Sequence, residues 1–272
     1  MVKAFRLLAH LAQSGEPVAL TDLSRALDLP KATGHRLALM LERIGFVQKD
    51  PLSLRYSVGA AFEAVALSGL RNGGSGTRRF LMDALAGRLG VRTNFVVLKA
   101  GKLLFVEWVE STSALRVDLD RDAKVPVHCS ASGKLLMAFG PDGLRQRFLK
   151  SAPYKALTAS TITSAKDMER ELAAIRQSGW SEDDEQYLPG VCCLAVPIRN
   201  ALGEVVAGLA VMAPKASFPL AKARRHLPQI RACAERISAE LGWRGPAVMP
   251  AHAASMRRVR EPRRGSARNQ HP

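Results

Sequence analysis

The sequence has no apolar run long enough to cross a membrane. A membrane-spanning helix needs about 18 or more predominantly apolar residues, and no such stretch occurs here. The N-terminal segment interleaves Lys3 and Arg6 with apolar residues, whereas the core of a secretory signal peptide is continuously apolar. We therefore expect a cytoplasmic protein that does not act at a membrane.

Cysteine is scarce and poorly spaced for metal binding. The four cysteines are Cys129, Cys192, Cys193 and Cys233, with no CxxC pair and no paired histidine cluster. This spacing suggests neither a zinc site nor a disulfide framework. We interpret them as reduced, mostly buried thiols, and we expect neither a metal nor a cofactor.

Acidic residues are few compared with basic ones. The chain has 24 aspartates and glutamates against 40 lysines and arginines, a formal net charge of +16 over 272 residues. Seven of the arginines and one glutamate lie between Trp243 and Pro272. The rest is still basic, which favours an anionic partner such as nucleic acid. Charge alone is a weak indication, because soluble proteins can be basic for other reasons.

Residues 21–45 have the pattern of a helix-turn-helix. Thr21 can cap a first short helix, Asp28-Leu29-Pro30 predicts the turn, and Gly45 ends a second, longer helix. Leu37, Leu41 and Ile44 share one side of that second helix, and we expect this stripe to face the protein.

The opposite side of the second helix is rich in hydrogen-bond donors. In a recognition helix the N-terminal side chains read base edges, which makes Lys31, Ala32 and His35 the base-reading candidates, with Arg36 and Arg43 on phosphates. The alternative is an ordinary solvated basic face. The full set of candidate DNA contacts is Thr21, Lys31, Ala32, Thr33, His35, Arg36, Arg43, Lys49 and Arg55.

Residues 46–58 predict a β-hairpin that would form a wing. Two short apolar-polar runs flank the turn signal Asp50-Pro51. Lys49 and Arg55 lie near its tip, where they can reach phosphates or a minor groove, or simply discourage edge pairing. Upstream, the Val2–Ser14 helix carries a predicted buried stripe, and Val18–Leu20 predicts a short strand; the stripe comprises Phe5, Leu8, Leu11 and Ala12. Residues 1–58 thus predict a winged helix-turn-helix domain.

The remainder predicts a linker, a second domain and a tail. Residues 59–76 read as a helix followed by a flexible Gly-rich break at 71–76. Residues 77–243 alternate helical and strand-like periodicity, which predicts an α+β domain with a largely antiparallel sheet. Residues 244–272 are too polar to fold, and we expect a basic disordered tail. The predicted strands are 93–99, 102–110, 115–119, 180–185, 192–199 and 204–212, and the predicted helices include 77–89, 165–178 and 220–241.

Several segments together resemble the IclR family of bacterial transcriptional regulators, over Val2–Gly242. The segments are Leu29–Thr33, Arg36–Leu37, Leu41–Phe46, Tyr56–Gly59, Val125–Lys134, Thr161–Ile162, Ile175–Gly179, Asp183–Glu185 and Gly190–Pro197. The resemblance implies a two-domain protein, with a winged helix-turn-helix before a GAF-like effector-binding domain. It also implies double-stranded operator DNA as a partner and assembly into a homodimer or homotetramer.

The resemblance further implies a binding site for a small effector. Carried over position by position, its residues are Val117, Ala131, Ser132, Asp183, Val191, Cys193, Ala210 and Met212. Ser130–Gly133 opens a helix, whose free N–H groups suit a carboxylate. Ala210 and Met212 are apolar where some family members carry serine, so we expect an aromatic or otherwise partly apolar acid.

These observations predict a sequence-specific DNA-binding transcriptional regulator, acting as a repressor of a catabolic operon under control of a small organic acid. The alternative is a small-molecule-binding or hydrolytic enzyme domain with a nonspecific DNA-binding module, for which His128, Cys129, Ser132 and Asp183 are imaginable residues. No strained nucleophile turn surrounds them. Gly133-Lys134 also lacks the first glycine and the final Ser or Thr of a phosphate loop. We therefore predict no enzymatic activity.

Overall fold

A computed structural model describes residues 2–14, 16–72, 75–111, 113–114, 117 and 124–245. The N-terminal domain consists of α1 (Val2–Ser14), α2 (Leu20–Ala26), α3 (Lys31–Arg43) and the hairpin of β1 (Val47–Lys49) with β2 (Tyr56–Val58). Val18 bridges to Tyr56, so the strand predicted at 18–20 is one bridging residue before α2. The predicted winged helix-turn-helix is confirmed.

The buried side of α1 differs from the prediction. Leu8 and Leu11 are buried as expected, but Phe5 is 61% exposed and Ala12 is exposed, and Ala4 and Leu7 are buried instead. The α1 sequence carries apolar residues on two adjacent stripes, and periodicity cannot tell which one the domain covers. The other elements of the domain cover the stripe that contains Leu7.

The buried side of α3 is also rotated from the prediction. Gly34, Ala38 and Leu41 are buried, whereas Ile44 is 55% exposed. Ile44 follows the last helical residue and caps the helix, so helical spacing no longer sets its direction. The predicted cap at Thr21 is wrong as well, because α2 begins at Leu20. Ala19 occupies the capping position and provides no side-chain cap.

Two helices connect the domains. They are α4 (Ala60–Asn72) and α5 (Ser75–Leu89). The predicted break at 71–76 is therefore narrower than expected, because residues 71–72 and 75–76 are helical, while residues 73–74 lie outside the described part of the chain.

The C-terminal domain is built on a five-stranded antiparallel sheet in the order β4-β3-β7-β6-β5. Its strands are β3 (Arg92–Lys99), β4 (Lys102–Val109), β5 (Ser181–Asp184), β6 (Val191–Arg199) and β7 (Val205–Pro214). The strand predicted at 115–119 lies outside the described residues except for Val117, which is not in a strand. The α+β prediction is confirmed.

Helices pack on both faces of this sheet. A 3-10 turn at Val127–Cys129 leads into α6 (Ala131–Phe139), followed by α7 (Asp142–Lys150) and α8 (Ala165–Ser178). The helix predicted at 220–241 is in fact two helices, α9 (Leu220–Arg225) and α10 (Leu227–Glu240). Pro228 explains the break at His226, because proline donates no backbone hydrogen bond and its ring clashes with the preceding turn.

The two faces of the sheet carry separate hydrophobic clusters. One is formed with α5 and α10, and includes Phe95, Leu209 and Ile230. The other is formed with α6 and α8, and includes Leu135, Leu172 and Ala210. Within the described ranges, no helix combines the length and apolar character that a membrane span requires. The tail predicted from 244 is described only to residue 245.

Candidate DNA-binding face and small-molecule cavity

The outer face of α3 gathers the predicted base-reading residues. Lys31, Ala32 and His35 are exposed in the first turns of the helix, whereas Gly34 and Ala38 are buried. Arg36 is also exposed, and Thr33 is half-buried. Arg43 ends the helix, roughly 18 Å from its start at 1.5 Å per residue. The length of the helix thus separates the predicted base-reading residues from the predicted phosphate contact at Arg43.

The wing has a rigid tip flanked by two cations. The carboxylate of Asp50 accepts hydrogen bonds from the backbone N–H groups of Leu52 at 3.0 Å and Ser53 at 2.6 Å, and the Ser53 backbone bond above all lowers the pKa of Asp50. Lys49 lies 5.7 Å from the Tyr56 ring centre. Arg55 donates to the Pro17 carbonyl at 3.2 Å, which ties the wing to the loop before α2.

A small cavity of about 30 Å³ lies between the start of α6 and the sheet. Strand register places three predicted residues in a row, because Asp183 pairs with Cys193 and Cys193 pairs with Met212. Of the eight predicted residues, the wall includes Ala131, Ser132, Asp183, Cys193, Ala210 and Met212. Among the described residues, the wall does not include Val117 or Val191. Val191 pairs with Pro214 at the strand ends, beyond the cavity.

The N-terminus of α6, the positive end of the helix dipole, lies at the cavity. Ser130 caps the helix by accepting a hydrogen bond from the Gly133 N–H at 3.1 Å. A side chain at position 133 would have its Cβ only 2.3 Å from the Val127 carbonyl oxygen, which explains the glycine there. The helix start therefore sits close against the preceding turn, with Ala131 and Ser132 lining the cavity.

Asp183 and Cys193, two ionisable side chains in the wall, have raised pKa values. Burial raises the pKa of Asp183 to about 6, although the Gln186 N–H donates to its Oδ1 at 2.7 Å. Burial likewise raises the pKa of the Cys193 thiol well above its ordinary value. The wall is mostly apolar, and its polar groups include the Asp183 carboxyl group, the Asn94 amide, the Tyr187 hydroxyl and the start of α6.

Family models match both domains. The model for the IclR helix-turn-helix domain matches residues 1–51, and the model for the bacterial transcriptional regulator IclR C-terminal domain matches residues 77–239. The chain belongs to the IclR family. This regulator is therefore a DNA-binding transcription factor with an effector-binding domain, and its family is one of regulators rather than enzymes.

Individual relatives agree with this assignment. The regulator is 31% identical to the probable transcriptional regulator SauR of Cupriavidus necator, over 87% of this chain and 94% of that protein. It is 28% identical to the transcriptional repressor IclR of Escherichia coli, over 79% of each chain. The crystal structure of the Thermotoga maritima IclR matches with a TM-score of 0.59 at 25% identity, covering 89% of this chain and 98% of that one.

His128 and Cys129, two side chains that the alternative hydrolytic site would use, have other surroundings in this IclR-family regulator. His128 Nε2 lies 2.9 Å from the Lys155 carbonyl oxygen, and the ring stacks on Tyr154. Burial raises the pKa of the Cys129 thiol to about 12, which suppresses the thiolate. In the described part of the molecule, neither residue forms a hydrogen-bonded nucleophile and base pair with Ser132.

Sequence reasoning missed part of the cavity wall. The missed residues are Asn94, Leu103, Phe105, Val125 and Tyr187. Asn94 offered a signal, because an amide buried in a strand needs a polar partner. In the structure, Arg92 Nε donates to Asn94 Oδ1 at 3.1 Å. The apolar residues offered none, because strand residues that line a cavity look like core residues in sequence.

Proposed function

We propose that this regulator represses a catabolic operon in the cytoplasm and is controlled by a small organic acid. The observation that carries the proposal is the exposed N-terminal end of α3, which presents Lys31, Ala32 and His35 while Gly34 and Ala38 pack inward. A helix placed in this way fits the major groove. The relative from Escherichia coli that is named a transcriptional repressor supports the direction of control.

The DNA contacts divide by chemistry. Lys31 and His35 can donate to base edges, and Ala32 can contact a thymine methyl group. The guanidinium groups of Arg36 and Arg43 suit phosphates, as do the wing cations; Thr21 and Thr33 can add hydroxyl contacts to the backbone. In this arrangement Lys49 and Arg55 add affinity and register, and the first turns of α3 add specificity.

The cavity favours a small, partly apolar acid as the effector. A carboxylate suits the start of α6, and a hydroxyl or similar donor suits the buried oxygen atoms of Asp183. Phe105, Ala210 and Met212 supply apolar wall. The cavity of about 30 Å³ holds little more than a water molecule, so we propose that wall side chains move when an acid enters.

The regulator is proposed to act as a homodimer through α1. Val2, Phe5, Ala9 and Ala12 are all exposed and recur at three- and four-residue spacing, with Val2 at 74% and Phe5 at 61% exposure. An apolar helix stripe of this kind can pair with its own copy across a two-fold axis. Two copies of α3 would then read two half-sites of a pseudo-palindromic operator.

The helix α4 is the proposed route from the cavity domain to the DNA-binding domain. Phe62 packs against the core of the N-terminal domain and Leu67 against the α5 side of the sheet. Glu63 also forms an ion pair with Lys99 at 2.7 Å. An effector can change operator affinity only by binding the two arrangements unequally, with a typical coupling of about 1–3 kcal/mol.

The test is binding of the purified regulator to its own upstream intergenic DNA and to a scrambled duplex. Both should be titrated at physiological salt, because a basic chain binds any DNA at low ionic strength. We expect the native duplex to bind at least ~10³-fold more tightly, and one of a panel of aliphatic and aromatic acids to change that ratio. Equal binding of both duplexes at every salt concentration would reject sequence-specific reading.

A further inference from the structure

Lys134 is a fully buried charge that lies behind the cavity wall. It sits in α6 with a side-chain exposure of 0%, and its ammonium group contacts Glu171 Oε1 of α8 at 2.6 Å and Gln186 Oε1 at 2.8 Å. An apolar side chain would fill this position without the cost of removing a charge from water. The polar contacts of Lys134 therefore need a reason beyond packing.

One of these contacts leads to the segment that closes the cavity, residues 185–190, which we name the cavity loop. The Gln186 N–H donates to Asp183 at 2.7 Å, and the next residue, Tyr187, lines the cavity. The loop starts at Glu185, whose φ of +58° is uncommon for a residue with a side chain. Such a backbone persists only where surrounding contacts hold it.

The cavity loop has further contacts at its start, where the Glu185 side chain forms an ion pair with Lys215 and two backbone carbonyls accept hydrogen bonds. Thr158 Oγ1 donates to the Glu185 carbonyl at 2.6 Å, and Thr161 Oγ1 donates to the Gln186 carbonyl at 2.7 Å. The two threonines and Lys215 hold the start of the loop, whereas Lys134 donates to the side-chain oxygen of Gln186. The loop is thus fixed by α6, by the segment before α8 and by Lys215.

We propose that Lys134 is a positioning residue of the effector site, which fixes the cavity loop so that Tyr187 and Asp183 are held ready for the acid. The inference rests on the proposed function of the cavity. Lys134 does not itself line the cavity, so it acts through Gln186. Its positive charge also counteracts part of the burial effect on the pKa of Asp183.

The experiment compares four single variants and the double variant Lys134→Met/Gln186→Met in the full-length regulator. Lys134→Met removes the ammonium group, and Gln186→Met removes only the loop contact. Gln186→Glu keeps an acceptor for Lys134, and Glu171→Gln is the matched control, because it weakens the ion pair on α8 but leaves the loop contact. Binding of benzoate, pyruvate and glycerate is measured by calorimetry, and amide hydrogen exchange is measured over residues 185–190.

We expect Lys134→Met and Gln186→Met each to weaken binding of the acid about 10-fold, since each loses a hydrogen bond to a charged group. The double variant should be no weaker than either single variant, because both remove the same contact. Glu171→Gln and Gln186→Glu should stay within about 2-fold of the wild type. Exchange of the loop amides should speed up only in the two weakened variants.

Wild-type affinity in Gln186→Met, with unchanged exchange of the loop amides, would overturn the proposal. If Lys134→Met does not fold, Gln186→Met alone decides, because it leaves the Lys134 to Glu171 pair in place. If the wild type binds none of the three acids, the proposed effector class fails; slow loop exchange in Gln186→Met would then reject the positioning role independently, and fast exchange would support it.

Discussion

Asp183 and Asp184 show how strand geometry gives neighbouring carboxylates opposite properties. Successive side chains of β5 point to opposite faces of the sheet. Asp183 is 1% exposed, and burial raises its pKa to about 6. Asp184 lies near the surface, where the hydrogen bond from Lys215 is the main reason that its pKa is lowered. Ionisation of Asp183 therefore opposes folding, whereas ionisation of Asp184 favours it.

This difference predicts that Asp183→Asn increases the free energy of unfolding by an amount that depends on pH. The folded protein binds a proton at Asp183 more tightly than the unfolded chain does. The contribution of Asp183 to the free energy of unfolding therefore falls as pH rises from about 4 to about 6, and it stays low above pH 6. Asparagine keeps an oxygen acceptor and removes the charge. We expect the variant to gain up to about 3 kcal/mol at pH 8, at 1.36 kcal/mol per pKa unit, and nearly nothing at pH 4.

Urea unfolding at the two pH values measures this gain. Asp184→Asn is the control and should change stability in the opposite direction at pH 8, because the pKa of Asp184 is lowered on folding. An equal gain for Asp183→Asn at both pH values would show that its ionisation is not the cause.

His35 and Arg43 should differ in what they contribute to DNA binding. Both are exposed on α3, but His35 lies near its start and Arg43 ends it. We expect His35→Ala to weaken specific binding by about 1–3 kcal/mol and to leave binding to scrambled DNA nearly unchanged. Arg43→Ala should weaken both and lower the salt dependence. Fluorescence anisotropy with both duplexes measures this, and equal losses for His35→Ala would exclude it as a base reader.

At the scale of elements, the crossing of α2 and α3 depends on a glycine. A Cβ added at Gly34 would lie 2.5 Å from the Ser24 hydroxyl oxygen and 3.6 Å from its Cβ. That hydroxyl is buried and has no hydrogen-bond partner among the described residues. This close approach fixes how α3 packs on α2, so the contact links packing to the proposed DNA reading.

The contact predicts a change of sign in a double-mutant cycle. Gly34→Ala should destabilise the wild type by about 1–3 kcal/mol, because it overpacks the crossing. In a Ser24→Ala background the offending oxygen is gone, and the same substitution should stabilise by up to about 1 kcal/mol through helix propensity. Thermal unfolding of the four proteins measures the cycle. A similar loss in both backgrounds would mean that the hydroxyl is not the obstacle.

At the scale of the whole molecule, the apolar stripe on α1 is left uncovered. Val2 and Phe5 belong to a helix that already buries Leu7 and Leu11 on its inner side. Exposed apolar stripes of this kind commonly mark interfaces. A dimer formed there would hold two α3 helices at a set distance, which operator half-sites demand.

We expect Phe5→Glu to shift the regulator from dimer to monomer. The substitution places a charge on the stripe, and the α1 core is unaffected because Phe5 is exposed. Light scattering after size exclusion measures the molecular mass. In the same variant, the affinity for an operator with two half-sites should also fall. Arg6→Glu, an exposed change off the stripe, is the control. A dimeric Phe5→Glu variant would place the interface elsewhere.

Much of the architecture was predictable because local patterns encode it. The hairpin turn at Asp50, the helix Ala165–Ser178 and most strands agree with their predicted positions. The break at His226 was missed although Pro228 was visible, because a proline near a helix start and a proline that interrupts a helix look alike in sequence. Lys31 and His35 are exposed on α3, as predicted. Ile44 was predicted to face the protein but is exposed, because the helix has ended before it.

The sequence by itself determined the types of element and most of their order, and it predicted the exposed basic end of α3, since these depend on local periodicity and turn chemistry. Only the tertiary structure decided which apolar stripe of α1 is covered, how Asn94 and Tyr187 join Asp183 around one cavity, and why Lys134 is buried. Those outcomes depend on strand register and on contacts between residues far apart in the chain, and no local pattern specifies them.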